Sequence, residues 1–308
     1  MSLIVLIVDL PERYRQRIAE RHELVVRKAD EIQAEDPVCQ RADVVWTNGM
    51  VGLSDAAMAA LPSLALIVCQ GVGYDGVDTE AAQRRGIAVA AGRGVNSSTV
   101  ADHALALTLA LLRRIPVYDR NVRDGHWLEV RRLDPLLTGR RVGILGFGQI
   151  GRLIARRAAG FDCEVHYHAR RQVADSQACY ADSPRALAAA CDVLVLCCPG
   201  GPATHHIVDA TVLAALGGEG VLINVARGSV VDTPALWTAL HEGTIAGAAL
   251  DVIEGEPGLP EGWHELDNVV FTPHTGGLSS QAFDEMVAQG LASVAALGAN
   301  EPIAGRVV

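Results

Sequence analysis

The sequence lacks any uninterrupted apolar stretch of about 18 residues, the length that a transmembrane helix needs, so we expect no membrane span. It also lacks an excess of positive charge: the formal net charge is −10, which argues against nucleic acid or an anionic membrane as a partner. None of the seven cysteines forms a CxxC pair, so we expect reduced thiols in a cytoplasmic protein. An acidic protein of this kind must bind phosphates through local dipoles and a few well-placed arginines.

What is present indicates a large globular protein. The 308 residues are 50% hydrophobic, which is enough for about two domains with sizeable cores. Short apolar runs alternate with helix-like segments, a pattern typical of parallel sheets covered by helices on both faces. We therefore expect an α/β protein with two doubly wound parallel-sheet domains, Rossmann-like or flavodoxin-like, joined by hinge helices. The first domain is predicted at 1–95 plus 280–308, and the second at 96–279.

The most informative stretch is RVGILGFGQIGRLIARRAAGFDCEVHYHARR at 141–171. A strand-like run precedes three glycines spaced GxGxxG, Gly146, Gly148 and Gly151, and a helical pattern and a second strand follow. This context predicts a dinucleotide-binding βαβ unit, in which the glycines allow a tight turn and a close approach of the pyrophosphate. The alternative is a glycine turn that only lets strand and helix pack closely. The motif makes 96–279 the expected dinucleotide-binding domain.

The end of the second strand of this unit predicts which cofactor is used. An NAD site usually places an acidic residue there to bind the ribose hydroxyl groups. The segment 167–171 instead contains no acid and two arginines, Arg170 and Arg171. Because the planar guanidinium suits a 2′-phosphate, we expect NADP(H). The alternative is that both arginines are solvated loop charges and that the protein tolerates NAD.

Three later segments each combine a strand with a polar turn: VLINVARGSVVD, GAALDVIEGEP and NVVFTPHTGG. Their turns carry Arg227, Glu256 and His274, which we expect at the carboxyl edge of one sheet. Hydride transfer to a 2-keto acid needs a cation for the carboxylate and a proton donor for the nascent alkoxide. Arg227 fits the first role and His274 the second, with Glu256 favouring the imidazolium. Taken singly, each residue is also consistent with an ordinary surface loop.

Two glycine-bearing turns follow strands of the first domain, TNGMVGLS at 47–54 and QGVGYDGVD at 70–78. Turns at the carboxyl ends of parallel strands are where open α/β sheets hold ligands. Val72 and Gly73 could offer backbone N–H groups to a carboxylate, and Asn48 in the other turn is a further candidate for substrate binding. A purely structural turn is equally consistent with the sequence.

Taken together, the motifs GYDGVD, GILGFGQIG, NVARG, ALDVIEGEP and TPHTGG resemble those of the D-isomer-specific 2-hydroxyacid dehydrogenase family over nearly the whole chain. The HARR stretch and the short interval from Glu256 to His274 are most similar to the NADPH-dependent glyoxylate/hydroxypyruvate and hydroxyphenylpyruvate reductases. The resemblance implies that Arg227 binds and polarises the substrate and that His274 is the acid/base. It further implies that Glu256 orients and charges His274, and that a D-2-hydroxy acid is the product.

The resemblance also implies further contacts. Val72 and Gly73 would hold the substrate carboxylate, with Arg227 and His274 beside it. The expected cofactor-binding residues, which include members of the glycine turn and of the turns after the later strands, are Thr99, Gly146, Phe147, Gly148, Gln149, Ile150, Ala169, Arg170, Arg171, Cys198, Pro199, Thr204, Val225, Ala226, Arg227, Asp251, His274, Gly276 and Gly277.

Members of this family are typically homodimers that pair through their nucleotide-binding domains, so we expect a homodimer here. Trp127 is a candidate for reaching the partner's site, and burial in the dimer interface is the alternative. A different functional class on the same fold is a nucleotide-sensing, corepressor-like protein with little turnover. We expect no metal site, because His166 with His168 and His205 with His206 lack a third ligand at a recognisable spacing.

Overall fold

The structure is a computed structural model that describes residues 1–129, 131–174 and 176–308. These residues form two compact units, Met1–Asn96 with Leu278–Val308 and Ser97–Gly277. Within the described ranges, no helix combines the length and the apolar character that crossing a membrane would require.

The strands are β1 (Leu3–Leu6), β2 (Glu23–Val26), β3 (Val44–Asn48), β4 (Leu66–Gln70), β5 (Ala88–Ala91), β6 (Arg141–Leu145), β7 (Glu164–His168), β8 (Cys179–Tyr180), β9 (Val193–Leu196), β10 (Val221–Asn224), β11 (Gly247–Leu250) and β12 (Val269–Phe271). The α-helices are α1 (Glu12–Ala19), α2 (Pro37–Arg41), α3 (Asp55–Ala59), α4 (Thr79–Arg84), α5 (Ser97–Leu112), α6 (Ile115–Arg123), α7 (Gln149–Ala159), α8 (Pro184–Ala189), α9 (Ala210–Leu216), α10 (Thr233–His241) and α11 (Ser280–Ala299).

The first unit is built on a five-stranded parallel sheet in the order β2-β1-β3-β4-β5. Its inner strands are continuous apolar runs because helices cover both faces, as in other doubly wound sheets. Helix α11 packs against this sheet at Gly290, where a Cβ atom would collide with the buried ring of Trp46. The C-terminal helix therefore belongs to the first unit by direct packing.

The second unit has a seven-stranded parallel sheet in the order β12-β11-β10-β9-β6-β7-β8. Successive residues of β9 alternate between its faces, as a strand requires. Val193 and Val195 join the core beneath α5 and α7, whereas Leu194 and Leu196 join the core beneath α8, α9 and α10. The expected fold class, two parallel-sheet α/β domains, is confirmed.

The short elements α2, α3 and β8 have little signal in the sequence. Helices α2 and α3 have five residues each, and their N-caps are Asp36 and Ser54, whose side chains accept hydrogen bonds from Val38 N and Ala57 N. Strand β8 has two residues and pairs only with β7 at the sheet edge. Elements this short carry too little periodicity to stand out in a sequence.

Candidate active site

The glycine turn between β6 and α7 has the shape that a pyrophosphate needs. Gly146 has φ +99°, and a Cβ atom there would lie 2.7 Å from the backbone nitrogen of Cys198. A Cβ atom on Gly151 would collide with the carbonyl oxygen of Gly146, whereas one on Gly148 would meet nothing within 4 Å. Backbone atoms therefore fill the space next to Gly146 and Gly151, whereas the space next to Gly148, the N-cap of α7, is open. Open N–H groups at a helix N-terminus suit a phosphate.

Neighbouring side chains hold this turn in place. The ring of Phe147 is stacked on that of Tyr167, with 4.0 Å between centroids. The side-chain oxygen of Gln149 accepts a hydrogen bond of 3.3 Å from Ser97 Oγ at the start of α5. The Cys197 thiol donates to the carbonyl oxygen of Gly146 over 3.0 Å. Phe147 and Gln149 therefore brace the turn through their side chains, while Ile150 in the first turn of α7 packs on the core beneath α5 and α7.

The segment after β7 places two arginines in solvent. Arg170 and Arg171 are exposed, and neither has an ion-pair partner in the part of the chain that the structure describes. The segment is held by two phenol groups: Tyr167 Oη accepts from Val173 N at 2.9 Å, and Tyr180 Oη donates to Ala169 O at 3.4 Å. Both arginines are therefore presented from a fixed backbone at the end of the strand.

The turn after β9 contains three of the residues that the resemblance assigns to the cofactor. Thr204 Oγ1 donates to the carbonyl oxygens of Pro199 at 2.7 Å and Gly201 at 3.2 Å. Burial raises the pKa of the Cys198 thiol to about 11, so the thiol is neutral near pH 7. The Thr204 hydroxyl thus closes the turn, and Cys198 packs against the glycine turn at Gly146.

Arg227 lies in the turn after β10, which is shaped by a residue that the sequence analysis missed. The buried Asn224 side chain donates to Arg227 O at 3.1 Å and accepts from Ala226 N at 3.0 Å. Gly200 leaves space for the Arg227 stem, since a Cβ atom there would lie 2.8 Å from Arg227 Cγ. Val225 is also buried and packs on the core beneath α5 and α7. In the sequence, Asn224 could have been recognised as the asparagine of the NVARG motif.

Asp251, at the end of β11, organises the turn that carries His274. Its carboxylate is 4% exposed and accepts hydrogen bonds from Thr272 Oγ1 at 2.6 Å, Thr275 N at 2.8 Å and Gly276 N at 2.9 Å. His103 Nε2, from α5, lies 2.9 Å from Thr272 Oγ1 and 3.3 Å from the carboxylate.

Burial by itself raises the pKa of Asp251. The hydrogen bonds from His103, Thr272, Gly276 and Thr275 outweigh it and bring the pKa to about 2. The carboxylate is therefore ionised near neutral pH and is fully engaged by its neighbours. The resemblance implied that Asp251 contributes to cofactor binding, and the structure shows that its oxygens hydrogen-bond within the protein itself.

His274 and Glu256 are in direct contact. Nδ1 of His274 lies 2.8 Å from Oε1 of Glu256, and the two side chains are 28% and 26% exposed. Because an ionised carboxylate only accepts, the His274 Nδ1–H group donates, which leaves Nε2 directed away from Glu256. His274 itself has φ +54°, and its N–H group donates to Asp251 O at 2.8 Å. The residue is thus held through its backbone N–H group and through Nδ1 of its ring.

The three predicted catalytic turns follow the neighbouring strands β10, β11 and β12, so they open at one edge of the sheet. Packing between the turns is close: a Cβ atom on Gly228, next to Arg227, would collide with the backbone of Ile253 and Glu254. Thr99 lies in the first turn of α5, and Gly277 ends the turn after His274. All predicted cofactor-binding and catalytic residues belong to the second unit, Ser97–Gly277.

The predicted substrate residues of the first unit lie in its two glycine turns. Gly76 N donates to Gly49 O at 2.9 Å, and Leu53 N donates to Gly76 O at 3.1 Å, so the turns pack backbone to backbone. The N–H groups of Val72 and Gly73 have no hydrogen-bond partner among the described residues. Asn48 Oδ1 accepts from Met50 N and Val51 N, at 2.9 and 2.8 Å. Asn48 therefore folds its own loop, and only its amide nitrogen is available to a ligand.

Comparison with known proteins gives one family. The model of the D-isomer specific 2-hydroxyacid dehydrogenase NAD-binding domain matches residues 105–276. The chain is 40% identical over 258 residues to a glyoxylate/hydroxypyruvate reductase of Arabidopsis thaliana, covering 83% of this chain and 80% of the relative. It is 42% identical over 230 residues to a hydroxyphenylpyruvate reductase of Plectranthus scutellarioides, covering 74% of each.

Among solved structures, similarity extends over the whole chain. The NADPH-dependent glyoxylate/hydroxypyruvate reductase of Sinorhizobium meliloti, solved with NADP and malonate, has a TM-score of 0.92 and 36% sequence identity. The match covers 100% of this chain and 97% of that protein.

Proposed function

Because this chain belongs to the D-isomer specific 2-hydroxyacid dehydrogenase family, we propose that it reduces a small 2-keto acid of the glyoxylate or hydroxypyruvate type to the D-2-hydroxy acid with NADPH. The protein is an oxidoreductase of 2-keto acids with a nicotinamide cofactor. The observation that carries the proposal is the His274–Glu256 contact of 2.8 Å on the turn next to that of Arg227. A nucleotide-sensing protein without turnover is not favoured, since the similar proteins are reductases.

The proposed roles follow from the donors that each turn presents. Arg227 binds the substrate carboxylate and polarises the ketone, because a guanidinium pairs with carboxylates through parallel hydrogen bonds. Nε2 of His274 holds the proton that the alkoxide oxygen takes up, while Glu256 fixes the ring through Nδ1 and favours the charged imidazolium. The N–H groups of Val72 and Gly73 bind the substrate carboxylate. Asn48, whose Oδ1 folds the neighbouring glycine turn, offers its amide nitrogen to the substrate.

The cofactor proposal rests on the glycine turn and on the segment after β7. Gly146, Gly148 and Gly151 leave a cradle at the N-terminus of α7 that a side chain at Gly148 would fill. NADPH bound there supplies the hydride. Arg170 and Arg171 follow β7 and are positively charged. We propose that they bind the 2′-phosphate of NADPH. The rest of the proposed cofactor site is lined or shaped by Thr99, Cys198, Pro199, Thr204, Val225, Ala226, Asp251, Gly276 and Gly277.

A homodimer formed through the second unit is also part of the proposal. The segment 115–136 exposes large apolar side chains, namely Ile115, Val122, Trp127, Leu128, Leu133 and Leu136. Leu133 and Trp127 have exposed fractions of 104% and 68%. Apolar patches of this kind mark contact surfaces. A second copy of the chain is the proposed occupant, and the protein is proposed to act in the cytoplasm.

The test is a steady-state comparison of NADPH and NADH with glyoxylate, hydroxypyruvate, pyruvate and phenylpyruvate. We expect turnover with a preference for NADPH and for a small keto acid. The same assay on His274→Ala should show a loss of kcat of about 10²-fold or more, with NADPH binding retained. The matched control is His264→Ala, which removes an exposed histidine of the same unit. Absence of turnover with every substrate, or full activity of His274→Ala, contradicts the proposal.

A further inference from the structure

The structure brings together three potential metal ligands at the edge of the seven-stranded sheet. A carboxylate oxygen of Glu164, a ring nitrogen of His166 and the thiol sulfur of Cys179 all lie within 4.8 Å of one another. Glu164 and His166 are two residues apart on β7, so their side chains share one face of the sheet. Cys179 on β8 is the direct partner of His166 in the strand ladder. Pairing of two strands therefore brings Cys179 to Glu164 and His166, a grouping that spacing in the sequence does not show.

The relation between His166 and Glu164 is not that of an ordinary hydrogen bond. Nε2 of His166 lies 2.9 Å from Oε1 of Glu164. The same nitrogen is buried and has no hydrogen-bond partner among the described residues. The two atoms are thus close together without the alignment that a hydrogen bond requires. A metal ion between them would give both atoms a partner, at a slightly larger separation than 2.9 Å.

From this geometry we propose that Glu164, His166 and Cys179 bind one Zn²⁺ ion, with water as the fourth ligand. Imidazole nitrogen, thiolate sulfur and carboxylate oxygen are the three ligand types that zinc accepts in proteins. Ligand atoms around a tetrahedral zinc ion are about 3.3–3.8 Å apart. Small rotations of Glu164 and Cys179, both exposed, bring the group to that spacing.

The charges of the site balance. Binding displaces the thiol proton of Cys179 into solvent, so that a thiolate and a carboxylate neutralise the divalent ion while His166 stays neutral. The site lies apart from the proposed catalytic turns, which follow β10, β11 and β12 at the other end of the strand order, and the proposal does not depend on the proposed reaction.

Zinc at this position would link β7 to β8, which are separated along the chain. Glu164 and His166 precede the segment 169–178, and Cys179 follows it. A crosslink across a loop removes conformational entropy from the unfolded chain, and a metal that binds only the folded state adds its own binding free energy to stability. We therefore expect zinc to raise the melting temperature of the protein, and to do so through these three side chains.

The experiment uses the full chain without an affinity tag, kept reduced and first freed of metal with EDTA. Zinc chloride is titrated by calorimetry, and Co²⁺ serves as a spectroscopic probe for thiolate ligation. We expect one ion per chain, a Co²⁺–thiolate absorption band, and an affinity lower by about tenfold or more in Cys179→Ser, His166→Gln and Glu164→Gln. In EDTA, the melting temperature of each variant should match that of the wild type. This match shows that the variants are folded.

Two control variants separate this site from the alternatives. Cys163→Ser alters a cysteine just before β7 and should leave zinc binding unchanged. His205→Ala belongs to the other described group that could hold an ion, His205, His206 and Glu254, and should also bind zinc normally. The proposal is overturned if zinc does not bind saturably, if all three ligand variants bind as the wild type does, or if only His205→Ala loses the ion.

Discussion

Nδ1 of His274 and Oε1 of Glu256 are 2.8 Å apart, although 18 residues separate them in the chain. The contact forms because β11 and β12 are neighbours and each ends in a polar turn. Since Glu256 engages Nδ1, Nε2 is the nitrogen left for proton exchange with a substrate. The two ring nitrogens therefore have different roles in the proposed reaction: Nδ1 binds Glu256, and Nε2 exchanges the proton with the substrate.

Replacing Glu256 by Gln keeps a hydrogen-bond acceptor for Nδ1 but removes the negative charge. Because the hydrogen bond to His274 then lacks a charged acceptor, kcat should fall by about tenfold or more, while the KM for the keto acid should hardly change. Steady-state kinetics of wild type and variant check this. Glu265→Gln, an exposed acid of the same unit, is the control. An unchanged kcat would remove Glu256 from the proposed role.

Replacing Arg227 by Lys keeps the charge but removes the planar pair of donors. KM for the keto acid should therefore rise and kcat/KM should fall by about tenfold or more, since a charge-assisted hydrogen bond contributes about 1.5–3 kcal/mol. Binding of NADPH, followed by fluorescence, should stay close to that of the wild type. If NADPH affinity fell as much as kcat/KM, Arg227 would act on the cofactor and not on the substrate.

Asp251 gives a prediction for stability against pH. Its pKa is lowered to about 2 in the folded protein, below the ordinary carboxyl value of about 4. Its ionised form therefore stabilises the fold above about pH 4, and this contribution is lost as the pH falls from about 4 to about 2. Asp251→Asn should lower the free energy of unfolding near pH 7 by about 2 kcal/mol.

The check is denaturant unfolding of both proteins at a series of pH values. The difference between wild type and Asp251→Asn should shrink on acidification through that interval. A difference that stays constant from pH 7 to the lowest accessible pH would mean that the carboxylate charge contributes nothing to folding.

The two arginines after β7 give a prediction for cofactor choice. Removing both, in Arg170→Ala with Arg171→Ala, should lower kcat/KM for NADPH by about tenfold or more, because charged contacts to the 2′-phosphate are lost. The kcat/KM for NADH should hardly change, since NADH lacks that phosphate. Arg185→Ala, an exposed arginine of α8, is the matched control. Equal losses with both cofactors would speak against a role in the 2′-phosphate site.

The apolar segment 115–136 gives a prediction for assembly. Placing a charge at Leu133, in Leu133→Asp, should shift the wild-type dimer toward the monomer, because a buried unpaired carboxylate is costly in an interface. Sedimentation equilibrium over a range of concentrations measures the change. Leu278→Asp, at an exposed leucine of the first unit, should leave the dimer intact. A wild-type protein that is monomeric throughout would rule the dimer out.

The sequence by itself determined the fold class. Short apolar runs such as β9 and periodic helices such as α9 are specified locally, because burial on both faces of a sheet or on one face of a helix leaves a pattern in the chain. The glycine turn was recognisable for the same reason: Gly146, Gly148 and Gly151 satisfy steric demands that act within a few residues.

Only the tertiary structure decided which side chains share a contact. The contacts of Asp251 with His103 and Thr272, and the space that Gly200 leaves for Arg227, depend on which elements are neighbours in the fold. The meeting of Cys179 with His166 depends on a two-residue strand that has no signal of its own. Contacts between residues far apart in the chain are set by the packing of the whole sheet, and spacing in the sequence does not record it.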